Sequence, residues 1–255
     1  MQTNTPFKDL IFGNHPVLEA LESGKEINKI LVLRGAVSEH TKHVLQLASQ
    51  RRIPVQKVPV EKLNRVTRKN HQGVIAFLSP VSYHRIEDVI PNLYEEGKNP
   101  LVVVLDHITD VRNVGAICRS AECMGAQAIL LPTKGAGALN ADAVKASAGA
   151  IFNLHICRTD HLEGAIRYLK ESGLSVVSCT EKGSETLYNG VLSEPTCVIL
   201  GAEDTGIQPA LLALSDQHLR IPMAGQTGSL NVSVSAGIIL AECLKQRTSV
   251  ENTVA

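Results

Sequence analysis

The 255-residue chain has no tryptophan and only four phenylalanines and four tyrosines. So few aromatics argue against the stacking platforms that grip single-stranded nucleic acid. No C-x-x-C pair occurs. The six cysteines, at 118, 123, 157, 179, 197 and 243, mostly sit inside apolar runs. They read as small buried hydrophobes in a reducing cytosol, not as a disulfide frame or a zinc site. No apolar run approaches the roughly 20 residues that span a bilayer. The opening residues lack the charged-then-apolar pattern of a secretory signal. A cytoplasmic protein is expected. The nine histidines show no metal-ligand spacing such as H-E-x-x-H, so no metal is expected. A P-loop is missing, and no G-x-G-x-x-G follows a strand, which leaves a dinucleotide-binding dehydrogenase unsupported.

Net charge is zero, with 25 Lys and Arg against 25 Asp and Glu, but the balance is uneven along the chain. Residues 1–85 hold 13 basic against six acidic residues, and residues 86–255 hold 12 against 19. This suggests a basic module for a polyanion joined to a more acidic module with another task. Within the first module, Arg51, Arg52, Lys57, Lys62, Arg65, Arg68 and Lys69 face one acid, Glu61. Two readings stay open for this run, a phosphate-contacting face and a solvated surface.

Apolar periodicity predicts alternating strands and helices throughout. In the first module, a short apolar piece from Phe7 meets Gly13, and a helix runs from near Pro16 to Gly24. Strands follow at 30–33, 55–58 and 73–78, with helices at 38–52, capped by Ser38, and 60–66. Prolines at 80, 91 and 100, with an acidic helical piece in the middle, suggest a linker over 81–99 between domains at 1–80 and 100–255. In the second domain short apolar strands are expected at 101–106, 128–131, 154–157, 175–179, 198–200 and 219–221. Helices are expected near 113–124, 141–148, 161–172, 208–213 and 230–246. Short, wholly apolar strands separated by helices predict a parallel sheet covered on both faces, an α/β fold. A ligand would sit beyond the carboxyl ends of those strands. The residues after Asp106, Cys179, Leu200 and Ile221 all follow strand ends.

Three of those stretches carry a resemblance. IPMAGQTGSLNVSVSAGIILAE, LGAEDTGI and DVRNVGAICRSAECMG resemble, in order and spacing, the three motifs of the SpoU/TrmH family of RNA ribose 2′-O-methyltransferases. The match is closest to bacterial enzymes acting on a guanosine of large-subunit rRNA. FGNHPVLEAL and HQGVIAFL resemble the ribosomal-protein L30e-like substrate-binding domain that precedes the catalytic domain there. The resemblance implies the SPOUT fold with a C-terminal trefoil knot, S-adenosylmethionine as methyl donor, RNA as substrate, rRNA foremost, and a homodimer. A tRNA-directed enzyme of the same family, or a non-catalytic RNA-binding assembly factor, are the rival readings.

The resemblance also implies roles. Arg119 matches the family's essential arginine. A guanidinium stays protonated at working pH, so a bidentate grip on an RNA phosphate suits it better than the role of base. An ion pair with Glu122 is the structural alternative. Asn113 falls in the same motif, with helix capping as its alternative. Glu203 is placed near donor and RNA, or else serves as a first-turn helix carboxylate. Ser229 and Asn231 would hold the methionine end or the 2′-hydroxyl, or cap the last helix. Gly201, Ile221 and Leu230 match donor-contact positions, Pro222 and Met223 continue that wall, and Thr180 is a further candidate. Asp106, His107 and Asp110 form a tempting acid/base cluster, and are expected to support the site from behind.

Overall fold

The computed structural model describes residues 10–35 and 38–254. The apolar piece read from Phe7 is thus seen from Leu10 onward, and residues 7–9 lie outside the described residues. Two compact units meet between Ser82 and Tyr83. Among the described residues no helix is long and apolar enough to cross a membrane.

The first unit runs β1 (Leu10–Phe12), α1 (Asn14–Glu22), β2 (Ile27–Leu33), α2 (Glu39–Gln50), β3 (Val55–Val58), α3 (Val60–Val66) and β4 (Val74–Leu78). The strands form a sheet of order β1-β4-β2-β3. β2 and β3 are parallel, and the other pairs are antiparallel. One sheet face is closed by α1 and α2, where Val17, Val44 and Ala48 are fully buried with Ile30 and Val32. The other is closed by Leu63 of α3 against Leu31 and Ile75. Ser38 caps α2 as expected, its Oγ accepting the Thr41 N–H at 3.2 Å. His71 is spent on the turn before β4, where its Nδ1 accepts the Gly73 N–H at 3.0 Å.

All of the basic run but Arg51 is exposed. Lys57 lies exposed on the edge strand β3, Lys62 and Arg65 lie exposed on α3, and Arg68 and Lys69 follow in the next loop. Arg52 is exposed in a left-handed turn at φ 53°. Arg51 differs: half-buried, it donates Nη1–H to the Leu21 carbonyl at 2.6 Å and ties α2 to α1.

The second unit contains α4 (Ile86–Glu95), β5 (Leu101–Asp106), α5 (Val111–Cys123), β6 (Ala128–Pro132), α6 (Ala141–Ala146), β7 (His155–Thr159), α7 (Leu162–Glu171), β8 (Ser175–Cys179), β9 (Glu185–Thr186), β10 (Thr196–Gly201), α8 (Pro209–Leu214), β11 (Gln217–Arg220) and α9 (Val232–Val254). All pairings in its seven-stranded sheet are parallel, in the order β7-β6-β5-β10-β8-β11-β9. Every residue of β5 is buried, as a strand covered on both faces requires. The expected α/β class and parallel sheet are therefore seen.

The expected linker is not one. Residues 86–95 are helical, and Ile86, Val89, Ile90 and Leu93 are buried in the core of the second unit with Val102, Leu130 and Leu169. Pro91 lies inside this helix, where proline removes a helix N–H and frees the carbonyl four residues earlier. Here that carbonyl, Glu87 O, accepts a hydrogen bond from the Tyr168 hydroxyl at 3.3 Å. A tertiary partner thus replaces the lost helix bond.

The last helix is held by a guanidinium clamp. Arg247 donates to the carbonyls of Leu192 at 3.2 Å, Asn99 at 2.7 Å, Pro100 at 3.1 Å and Glu194 at 2.7 Å. Beside it, the Gln246 side chain accepts the Leu192 N–H at 2.9 Å and donates to Gly190 O at 3.0 Å. One helical turn thereby fastens α9 to the 190–194 segment and to the residues entering β5. The planar fork of arginine fits several carbonyls where an ammonium serves one point. Arg247→Ala should cost about 2–3 kcal/mol, given the charged hydrogen bonds lost, and Arg247→Lys should recover only part of it. Urea unfolding of the three proteins checks this.

Candidate active site at the strand ends of the second unit

The central strands deliver their ends side by side. β10 pairs with β8, and β8 pairs with β11, all parallel. The segments leaving them therefore open at one edge of the sheet. Between these segments lies a cavity of about 280 Å³. Thr180 after β8, Gly201 at the end of β10 and Glu203 after it, and Ile221 and Met223 after β11 line it. Ser229, Leu230 and Asn231, which lead into α9, close another side. Pro222 lies between two lining residues but does not line the cavity itself. Gly201 is required by close approach: a Cβ there would stand 2.2 Å from the Gly206 carbonyl carbon. The 202–207 turn folds back on that glycine, with Gly206 N–H donating to Ala202 O at 2.9 Å.

Neither Asn113 nor Arg119 lines the cavity, but Asn113 is wired to residues that do. Glu203 Oε1 accepts from Asn113 Nδ2 at 3.0 Å and from Asn231 Nδ2 at 2.8 Å. Asn231 Nδ2 also reaches Asn113 Oδ1 at 3.2 Å. Three side chains, 90 and 28 residues apart in sequence, thus form a closed triangle. Two structural alternatives fall away. The cap of α5 is Asp110, whose carboxylate accepts the Arg112 N–H at 2.8 Å, so Asn113 is not needed there. Glu203 stands in the 202–207 turn before α8, not in a first helical turn. For Asn231 the capping reading holds as well: its Oδ1 accepts the Ser233 N–H at 2.9 Å and the Ser233 hydroxyl at 2.6 Å. One asparagine therefore starts α9 with its oxygen and orients Glu203 with its nitrogen. Ser229 is exposed and lines the cavity.

Arg119 projects from α5 into solvent. The alternative pair with Glu122 is not formed; Glu122 Oε1 takes the Asn153 amide at 3.1 Å. Among the described residues the Arg119 guanidinium makes no hydrogen bond or ion pair.

Asp106 is a brace. It is fully buried. Its Oδ2 accepts the Gln208 N–H, and its Oδ1 accepts the Gln208 side-chain amide, both at 2.7 Å. His107 Nδ1 lies 2.6 Å from Oδ1, on a backbone held at φ 58°. Gln208 directly follows Gly206 and Ile207, which line the cavity. The carboxylate thus fixes one cavity wall from behind, as a charge-assisted acceptor in a dry place.

Sequence reasoning missed Cys179, Glu181 and Arg220, which also line the cavity. All three lie at or just past a strand end, so the strand-end rule alone could have flagged them. Burial pushes the Cys179 thiol far up, so it stays protonated.

Comparison with known proteins decides the family. Residues 100–241 match the SpoU rRNA Methylase family, and residues 10–84 match the RNA 2′-O ribose methyltransferase substrate-binding family. The chain belongs to the SpoU/TrmH family of RNA ribose 2′-O-methyltransferases. It is 31% identical over 242 residues to the putative TrmH family tRNA/rRNA methyltransferase YacO of Bacillus subtilis, covering 95% of this chain and 97% of that one. It is 34% identical over 243 residues to the uncharacterized tRNA/rRNA methyltransferase slr0955 of Synechocystis, covering 94% of this chain but only 63% of that longer relative. Among solved structures, the S-adenosylmethionine-bound rRNA methyltransferase of Sinorhizobium meliloti aligns with a TM-score of 0.60 and 27% identity, over 93% of this chain and 87% of that one. SpoU/TrmH enzymes take their methyl group from S-adenosylmethionine, an alkylating sulfonium. Beside such a donor a protonated Cys179 is a poor competing nucleophile.

Asp106→Asn places an amide where two donors converge. It should lower stability by about 1–3 kcal/mol and loosen the 202–207 wall. Calorimetry should show S-adenosylmethionine binding several-fold weaker, whereas Arg247→Ala, equally destabilised, should bind it normally.

Proposed function

We propose that the chain transfers a methyl group from S-adenosylmethionine to a ribose 2′-hydroxyl of rRNA, a guanosine of 23S rRNA being the expected target. The observation that carries this reading is the Asn113–Glu203–Asn231 triangle at the edge of the cavity. When bound, the donor supplies an electrophilic methyl group. The rest is positioning, which alone removes much of a bimolecular barrier. Main-chain groups at Gly201 and Ile221 suit the adenine edge, and Leu230 covers its face. Thr180, Met223 and the neighbouring Pro222 complete that wall. Ser229 holds the methionine end. Asn113 and Asn231 fix Glu203 through Oε1, which leaves Oε2 to accept the hydrogen of the incoming 2′-hydroxyl. Arg119 grips the adjacent RNA phosphate and steadies charge as it develops on the oxygen.

The first unit is read as an L30e-like RNA-binding module. Its mixed four-stranded sheet with helices on both faces supports this, as does the cationic Arg52, Lys57, Lys62, Arg65, Arg68 and Lys69 set. Arg51 contributes less, being tied to Leu21. A dedicated substrate-binding module and the rRNA methyltransferase named from Sinorhizobium meliloti favour rRNA over tRNA. The domain division follows the two units at 82/83. The order β5-β10-β8-β11 and the fastening of α9 to the 190–194 segment support a trefoil knot. A homodimer built on α5 and α9 would use the unpaired Arg119 and the exposed Val234. Six free cysteines suit the cytoplasm.

Arg119→Ala should abolish methyl transfer to RNA yet leave S-adenosylmethionine affinity within about twofold, as expected of a residue that touches only RNA. Loss of donor binding would remove the phosphate role. RNA affinity should fall with salt, by about 0.7 log units per log unit for each phosphate contacted on a single strand. Replacing Lys62, Arg65 and Lys69 together should lower that slope.

A further inference from the structure

We propose that Glu181 receives the vicinal hydroxyls of the donor's ribose, an inference that rests on reading the cavity as the donor site. The argument starts from strand order. β8 lies between β10 and β11, so Thr180 and Glu181 emerge between Gly201 on one side and Ile221 on the other. Those two positions flank the adenosine half of the cavity in the reading above. Glu203, by contrast, is drawn toward α9 by Asn231. Glu181 therefore faces adenosine, and Glu203 faces the reacting end.

The backbone that carries Glu181 is built in advance. Thr180 N–H donates to Leu219 O at 2.9 Å, and Gly183 N–H donates to Thr180 O at 3.0 Å. Arg220 Nη1 donates to Gly183 O at 2.6 Å and to Ser184 O at 3.1 Å. Gly183 is pressed against β11 so closely that a Cβ would stand 2.5 Å from the Leu219 carbonyl carbon. The turn is thus fixed before any ligand arrives, which reduces the ordering cost of binding.

The charges then sort themselves. Glu181, Glu203 and Arg220 are the charged side chains lining the cavity. Arg220 is committed to the turn's carbonyls, and Glu203 Oε1 is committed to two amides. Glu181 accepts one local bond, from the Thr180 hydroxyl to Oε2 at 3.2 Å. Its other oxygen has no hydrogen bond among the described residues. A carboxylate beyond a parallel strand is the usual acceptor for ribose hydroxyls in dinucleotide folds, because two acceptor oxygens match two neighbouring O–H donors. This chain reaches the same solution with no glycine fingerprint.

Calorimetry on the full-length protein tests this with four probes: S-adenosylhomocysteine, 5′-methylthioadenosine, adenosine and 2′,3′-dideoxyadenosine. Glu181→Gln should weaken the first three by about tenfold, as loss of a charge-assisted contact does. It should leave dideoxyadenosine unchanged and erase the wild-type preference for adenosine over it. Melting temperature should not move, since Glu181 is exposed. Weakening confined to S-adenosylhomocysteine would assign the carboxylate to the amino-acid end and overturn the proposal. Unchanged affinities would overturn it too, as would equal weakening of dideoxyadenosine. If the wild type bound none of the probes, the donor-site reading itself would fail.

Discussion

Parallel pairing of β10 with both β5 and β8, and of β8 with β11, is the constraint on which the rest depends. Parallel strands present all their carboxyl ends at one edge. Whatever follows those strands must share that edge, however far apart it lies in sequence. The cavity is the gap between three such segments, and its chemistry is what the chain placed after Cys179, Gly201 and Arg220. Depth in the sheet supplies rigidity. β5 is wholly buried, and Asp106 at its end reaches under the adjoining loop to hold Gln208. The wall carrying Gly206 and Ile207 is thus anchored to a wholly buried strand.

Two sides of the cavity are held by different means. One side of the cavity rests on main chain made rigid by hydrogen bonds and close packing at Gly183 and Gly201. The other side rests on side chains that hold one another, Asn113 and Asn231 converging on one oxygen of Glu203. Asn231 links this network to the helix behind it, since its own oxygen caps α9. Arg247, four turns further along that helix, then ties it to Asn99 and Pro100 at the entry to β5. The site and the last helix are therefore parts of one hydrogen-bonded frame.

Much of this was legible in sequence, for definite reasons. Continuous apolar runs ending at Asp106, Cys179 and Gly201 announced buried strands and where they stop. Ser38 announced the start of α2. Residue types at Asn113, Glu203, Ser229 and Asn231 were readable through their motifs. Contacts that depend on strand order were not. Local pattern says nothing of β10 lying between β5 and β8, and so could place Glu181 past a strand end but not between Gly201 and Ile221. The helical piece around Pro91 was readable, but its burial in the second unit was not, because the residues it packs on, and the Tyr168 that repairs it, come from distant strands and α7. Arg51 looked like its basic neighbours, yet its guanidinium is spent on the Leu21 carbonyl. Asp106 was expected to support the site from behind, but that it does so by holding Gln208 was not readable, since the two lie 102 residues apart.

The central claim is that the cavity directs a methyl group to a ribose oxygen. The most direct measurement is incubation with methyl-labelled S-adenosylmethionine and unmodified rRNA, followed by alkaline hydrolysis. A methylated 2′-oxygen cannot attack the neighbouring phosphate, so the account predicts label in alkali-stable dinucleotides, lost when Asn231 or Glu203 is replaced by alanine. Label recovered in mononucleotides, as base methylation would give, or no label from any RNA, would contradict it.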